Sequence, residues 1–427
     1  TEAHLILPPL ASAPAGIHHY NAFGHFLERR ADIPAGLWQS LVSHFDCAGF
    51  LIAVTSIFWR ESWKYGERAF RYCNHDAGHA LACLSLAANL YGWKCVILNE
   101  LSDEEIGAIL GFEQTHFRKL EEEHSDCLCF VFPSDTPDIP RGLPDAIISD
   151  FANLPFAGDA EILSQKCVDW TLIYQTARQS KKPPTAKTRI ELDERKWLVE
   201  TPVQLPAATI IRNRRSAIAF DDSGAVSRSQ FLSMLDKTLP RRGTAPFDIE
   251  LTPPLTHLLL FVHNVTDVTA GLYFLARNDQ DLGEIKEISR TEFRWAAVEK
   301  DFPLYLLAEG NYRQQAMMVS CHQDIAGSSA FSLGMLAKFK DIVISEPYRY
   351  RHLFWETGMI GQVLYLEAEA HGIRGTGIGC FFDDAVHEIM GLGDNRYQSL
   401  YHFTVGQPIE DQRLTTYPPY QHLKNSF

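Results

Sequence analysis

Three short clusters in this 427-residue chain carry side chains whose types and spacing suit chemistry. The segment IIRNRRS (210–216) places Arg212, Arg214, Arg215 and Ser216 together after Pro206, with no acidic residue until Asp221. Guanidinium forks beside a hydroxyl suit a phosphomonoester, because each fork offers paired N–H donors to phosphate oxygens. A solvated basic turn is the alternative. The segment TGIGCF (376–381) carries Gly377 and Gly379, whose backbone can lie flush against a planar ligand and aim N–H groups at it. A tight turn would use the same glycines. In the third cluster, Lys64 and Tyr65 stand among Arg60, Arg68 and Arg71. Neighbouring positive charge lowers the pKa of an amine and of a phenol, pushing both toward use as proton acceptors. Ion pairs on a solvated face are the alternative.

The elements that must position these clusters occur twice. Residues 65–112 align without a gap onto 345–392, a constant shift of 280, with coincidences that include Arg71/Arg351, Gly78/Gly358, Gly92/Gly372 and Asp103/Asp383. Each copy opens with a long segment that is apolar on most faces, which predicts a helix buried all round and stopped by its glycine. A short strand-like run follows (95–98 and 375–378), then a second helix with acidic caps, Ser102 and Glu105 in one copy and Asp383 and Asp384 in the other. Two units so far apart make a duplicated domain and not a solenoid.

The clusters are divided between the copies. Where the second copy has TGIGCF the first has VILNEL, and where the first has Lys64 and Tyr65 the second has Ile344 and Ser345. A purely structural role would have kept each cluster in both.

The chain is expected to be α+β, with one domain over 15–180, a linker over 181–199 that includes KKPPTAKTR, and a second domain over 200–427. Strands are expected at Cys127–Phe132, Thr256–Val265, Gly271–Leu275 and Tyr401–Val405, with helices at Ser227–Leu239 and near Ala326–Phe339.

A formal net charge of −14 leaves no basic field for a phosphate backbone, so nucleic acid is not an expected partner. No run of 18 apolar residues spans a membrane. The nine cysteines are odd in number and scattered, which reads as reduced thiols, and no charged-then-apolar leader is present. The expected compartment is the cytoplasm. His75-Asp76-Ala77-Gly78-His79 imitates a zinc-binding helix, but an Asp replaces the usual Glu and no third ligand is evident. These histidines are expected to pack between the two copies, and no metal is expected.

Taken together, RRSxxxF (214–220), ExGxxGQxLYLxAExxG (356–372) and VGxPxxDxR (405–413) resemble the FMN-dependent nitroreductase superfamily, and within it the SagB/ThcOx-type dehydrogenases. The resemblance implies two like domains around long central helices, here joined in one chain as an intrachain pseudo-dimer, with FMN in the crevice between them. It implies that Arg212, Arg214, Arg215, Ser216 and Arg413 hold the phosphate and ribityl chain, and that Gly377, Gly379 and Cys380 face the flavin. The superfamily's second arginine of RRSxR is Ile218 here. The first copy offers only Glu28-Arg29-Arg30-Ala31 and Asn99-Glu100 at these places, so it resembles a partner that has lost its flavin site. The Lys-Tyr pair implicated in catalysis in SagB-type enzymes matches Lys64 and Tyr65.

The reading that follows is an FMN-dependent dehydrogenase. It moves a hydride from an organic substrate, such as an azoline in a peptide-derived natural product, to flavin N5, with Lys64 or Tyr65 of one copy serving the site of the other. The competing readings are an NAD(P)H-dependent reductase of nitroaromatics or quinones, and a flavin-free scaffold of a biosynthetic complex.

Overall fold

The computed structural model describes residues 1–11, 13–136, 138–186, 190, 192, 194–197 and 205–425. Two sheets organise them. The first comprises β1 (Glu2–Leu7), β2 (Gly16–Asn21), β3 (Phe26–Asp32), β4 (Phe50–Ser56), β5 (Trp93–Ile97) and β6 (His124–Pro133), in the order β3-β2-β1-β4-β6-β5. Its helices are α1 (Ala35–Phe45), α2 (Trp59–Tyr65), α3 (Ala69–Leu90), α4 (Asp103–Ile109), α5 (Asp145–Ala152) and α6 (Thr171–Gln179). The second sheet comprises β7 (Thr256–Val262), β8 (Gly271–Leu275), β9 (Ala296–Glu299), β10 (Phe302–Glu309), β11 (Phe331–Lys338), β12 (Arg374–Ile378) and β13 (Tyr397–Gly406), in the order β12-β13-β11-β7-β8-β10-β9. With it go α7 (Ala207–Asn213), α8 (Arg228–Lys237), α9 (Asp279–Ile288), α10 (Arg313–Val319), α11 (Asp324–Ser328), α12 (Lys340–Ser345), α13 (Arg349–Ala370) and α14 (Asp383–Met390).

Both sheets are covered on both faces, and the period-two alternation of side chains sorts the residues between layers. Along β4 and β6, Leu51, Ala53, Leu128 and Phe130 face a core shared with α1, α4 and α5, whereas Ile52, Val54, Cys127 and Cys129 face α3. Along β7, Leu258 and Leu260 face α8 and α13, while Leu259 and Phe261 face α9, α10 and α14.

The duplication reappears in space. Helices α3 and α13 have 22 residues each, their ends are related by the shift of 280, and they cross at the conserved glycines. A Cβ on Gly78 would lie 2.2 Å from the carbonyl oxygen of Trp355, and one on Gly358 would lie 2.3 Å from that of His75. Only hydrogen fits where the two backbones touch. Flanking the crossing, Arg351 meets Asp103 at 2.7 Å and its counterpart Arg71 meets Asp383 at 3.6 Å, so the same pair of positions is used in both directions. That reciprocity is what an isologous two-fold interface requires.

Four expectations are revised. Strand β1 pairs with β2 and β4 in the middle of the first sheet, so ordered structure begins upstream of residue 15. The start of the expected linker is docked: Lys182 is buried, its N–H donates to Asp103 and its Nζ to the carbonyl of Leu101. Parts of 181–199 lie outside the described residues. The stretch 331–338 is strand β11 and not helix. It lies between β7 and β13 with every residue but Lys338 buried, and an apolar run covered on both faces has no alternation to separate it from a buried helix. Last, Cys321 and Cys380 form a disulfide. The odd total left this pair open, since seven other cysteines are free. Among the described residues no helix is long and apolar enough to cross a membrane.

Candidate active site

The arginine turn and the glycine strand are neighbours. Helix α7 ends at Asn213, with Arg214 as its cap, and the chain then runs alongside β12, where Ser216 bridges to Gly375, Ala217 N–H donates to Gly375 O, and Thr376 Oγ1 donates to Ala217 O at 2.8 Å. Tyr365, on α13, ties the two together. Its hydroxyl accepts from Gly377 N–H at 2.8 Å and lies 3.0 Å from Ser216 Oγ, while the Arg214 guanidinium sits 4.9 Å from its ring centre. Among the described residues Arg212, Arg214 and Arg215 have no carboxylate partner; Arg215 donates only to the carbonyls of Arg212 and Arg214. Three guanidiniums without counter-ions on a chain of net charge −14 form a donor set for an anion.

The facing wall comes from α3 of the other domain and from β13 of the same one. A Cβ on Gly379 would lie 2.6 Å from the Tyr72 ring of α3, and one on Gly377 would lie 2.1 Å from the Tyr401 hydroxyl. Both glycines are therefore required by close approach. One and two turns on from Tyr72, His75 stacks on Tyr401 with ring centres 4.2 Å apart and pairs with the Leu400 carbonyl, and His79 reaches Gln362 and Tyr401. Burial pushes His75 down to about 3 and His79 down to about 4, so both are neutral packing groups at the interface of the copies. Asp76 on the same helix reaches solvent, yet the protein around it desolvates the carboxylate enough to raise it to about 6. The backbone N–H groups of Gly379 and Cys380 have no acceptor among the described residues.

Lys64 and Tyr65 end α2 and open onto the same loop. Tyr65 packs edge-on against Tyr72 at 4.9 Å, and Tyr72 rests on Gly379; Arg68 Nη1 lies 2.8 Å from Cys380 Sγ. The pair from the first copy thus stands beside the glycine loop of the second. The expectation of a lowered lysine pKa fails. Hydrogen bonding to Tyr65 raises Lys64, which is fully solvated and stays protonated.

Arg413 sits apart from the other arginines. It is 88 % exposed and paired with Asp411 at 2.7 Å, whereas the concavity that holds Arg212, Asn213 and Arg215 is completed by Arg374, Glu369 and Tyr417. Sequence reasoning passed over Arg374, Tyr365, Tyr72 and Tyr401. Tyr365 lies inside the helix motif and Arg374 opens the strand that carries the glycines, so both had a signal; Tyr72 becomes a site residue only through the domain contact, and Tyr401 only through the pairing of β12 with β13.

Comparison with known proteins bears on this geometry. Residues 211–407 match the model of the nitroreductase family. A putative nitroreductase from Anabaena variabilis aligns over 96% of this chain and 80% of its own, at 18% identity and a TM-score of 0.67. That likeness spans both halves, and the fold is two tandem nitroreductase-like domains. Further likenesses are a putative nitroreductase from Ralstonia eutropha (14% identity, 52% of this chain, 97% of that one, TM-score 0.36) and the E. coli microcin synthetase McbBCD complex with truncated pro-MccB17 bound (18%, 51%, 77%, 0.35). No curated protein matches the chain. The nitroreductase-family match covers the domain with the arginine turn and the glycine strand, and leaves out the domain that carries Lys64 and Tyr65.

Proposed function

We propose that the chain is a flavin-dependent oxidoreductase with one FMN site, built by the second domain and closed by α2 and α3 of the first. The observation that carries the reading is the unpaired guanidinium set of Arg212, Arg214 and Arg215, held with Ser216 against the Gly377–Gly379 backbone inside a nitroreductase-family domain. The fit is chemical: cationic forks and a hydroxyl for a phosphate, and free N–H groups at Gly379 and Cys380 for a ring nitrogen. Bound FMN would supply two-electron chemistry by accepting a hydride at N5. Arg212, Arg214 and Arg215 would anchor the phosphate, while Arg374 and Arg413 play a lesser part because Glu410 and Asp411 already hold them.

Lys64 keeps its proton and places Nζ 4.8 Å from the centre of the Tyr65 ring, so Tyr65 Oη would be the atom that exchanges a proton with substrate, beside a cation. Around the mouth, Trp63, Tyr65 and Phe382 are 66%, 41% and 40% exposed, an open apolar rim that suits a heterocycle carried on a peptide better than a free small molecule.

The test is the absorbance spectrum of the purified chain together with released flavin per chain. A yellow protein with a ratio near one is expected, and a colourless protein that takes up no added FMN overturns the reading. Arg214→Ala should weaken FMN binding by about 1.5–3 kcal/mol, the value of a charge-assisted hydrogen bond. Tyr65→Phe should keep the flavin and lose turnover.

A further inference from the structure

The disulfide lies where the two domains and the glycine loop meet. Cys380 follows Gly379 in the loop between β12 and α14, and Cys321 sits in the turn between α10 and α11, with Cα atoms 5.8 Å apart. Cys73, Cys95, Cys127 and Cys129 are buried, whereas Cys321 and Cys380 are each partly open to solvent. Arg68, an exposed residue of the first domain, places Nη1 2.8 Å from Cys380 Sγ. Cys321 and His322 both have left-handed backbone, with φ of 56° and 57°. Consecutive side-chain-bearing residues hold that conformation only where surrounding contacts impose it, and such sites concentrate at functional positions. Here the cross-link and Gln323, whose Nε2 donates to the carbonyls of Ser320 and Cys380, impose it.

A guanidinium beside one sulfur makes the pair chemically unequal. It stabilises negative charge on Cys380 and leaves Cys321 as the sulfur open to attack. We propose that Cys321 and Cys380 form a thiol–disulfide exchange site that takes two electrons from an external dithiol, with Arg68 holding Cys380 as the leaving thiolate. The thiolate of the dithiol attacks Cys321 Sγ, the S–S bond breaks, and its electron pair goes to Cys380 Sγ beside the guanidinium. The second thiol of the reagent loses its proton and attacks the mixed disulfide, releasing Cys321. The dithiol leaves as a disulfide and the protein holds two reduced cysteines, one proton ending on Cys321 and the other on Cys380 or in solvent. Opening the bond removes the covalent tie between the 379–382 loop and the α10–α11 turn, leaving the hydrogen bonds from Gln323 to the Cys380 carbonyl and from Phe382 N–H to the Val319 carbonyl beside the wall against which Tyr72 rests. The exchange site stands on its own sulfur and arginine geometry, whether or not flavin binds.

The full chain, folded and as purified, is treated with iodoacetamide, then with dithiothreitol, then with N-ethylmaleimide, and the labelled peptides are identified by mass spectrometry. Cys321 and Cys380 should escape the first label and take the second together without unfolding. In the reduced protein, the midpoint pH for alkylation of Cys380 should lie below the ordinary thiol value of about 8.5. It should rise by about one pH unit in Arg68→Ala and in the bulkier Arg68→Gln, and stay in place in Arg68→Lys. First-label incorporation at either cysteine, reduction only after denaturation, or an unmoved midpoint in both neutral variants would each overturn the proposal.

Discussion

The two copies frame equivalent crevices that have met opposite fates. Under the shift of 280, Ser85 stands where Tyr365 does, Met359 where His79 does, and Asn99-Glu100 where Gly379-Cys380 do. In the first crevice, residues 247–251 fill the space. Ile249 is fully buried in a cluster with Ala82, Cys95, Ile97 and Met359, Asp248 accepts a hydrogen bond from Ser85 Oγ at 3.2 Å, and Glu250 pairs with Arg141 at 2.7 Å. That plug comes from the connection between α8 and β7, residues 238–255, upstream of the first strand of the second sheet. This loop separates a packed interior from a site faced by unpaired arginines.

The sharpest way to break the comparison is at the crossing itself. Gly78→Val and Gly358→Val each drive a side chain into backbone atoms that cannot swing aside. Each should cost about 4 kcal/mol or more, enough to prevent the domains from docking, as read by chemical denaturation and by sedimentation. Equal losses are the mark of a true two-fold contact; one mild and one severe effect would show that the pseudo-symmetry is nominal. Gly92→Ala and Gly372→Ala give the matched control, because both sites are open but left-handed, with φ of 73° and 71°. They should cost about 1–2 kcal/mol alike.

The reciprocal ion pairs should separate the copies where the glycines do not. Arg351 is buried and donates to both oxygens of Asp103, so Arg351→Ala strands a buried carboxylate and should cost about 3–5 kcal/mol in urea denaturation. Arg71 meets Asp383 at 3.6 Å with both side chains about a third exposed, and Arg71→Ala should cost under about 1 kcal/mol.

The plug can be tested without touching the candidate site. Ile249→Ala removes a fully buried side chain and should cost about 2–5 kcal/mol while leaving flavin at one per chain. A ratio that climbs toward two in this variant would mean that the plug, and not the missing arginines, limits the count.

Much of this was legible in the residues because duplication writes the same constraint twice. The glycine at the crossing, the Arg–Asp pair and the ends of α3 and α13 all follow from the shift of 280, and the capping box of Ser102 and Glu105 forms as its spacing requires. What stayed hidden depends on through-space contacts. Tyr72 and Tyr401 gain meaning only by resting on Gly379 and Gly377, and Arg374 joins Arg212 only because β12 runs beside the chain after α7. The expected cation field around Lys64 was outweighed by one hydrogen bond to its neighbour, and a pair of cysteines 59 residues apart has no local signature. Strand β11, covered on both faces, lost the alternation by which strands are recognised.

The smallest effect concerns how each copy fills the crossing. The first copy contributes His75 and His79 where the second contributes Trp355 and Met359. Burial holds His75 at about 3 and His79 at about 4, whereas in the unfolded chain both protonate near 6.5. The unfolded state therefore binds more protons than the folded state between those values, and stability must fall as pH falls from about 6.5 toward 4. Each histidine contributes a slope of about 1.4 kcal/mol per pH unit within its window. His79→Met, which copies the residue at the equivalent place in the second copy, should flatten the acid limb of a plot of denaturation free energy against pH by one such slope. It gives up the hydrogen bonds to Gln362 and Tyr401, so the plateau at neutral pH should also drop by about 1 kcal/mol. A lowered plateau with an unchanged acid slope would place the titrating groups elsewhere, with buried His352 and His402 and half-buried His124 and His263 the next to examine.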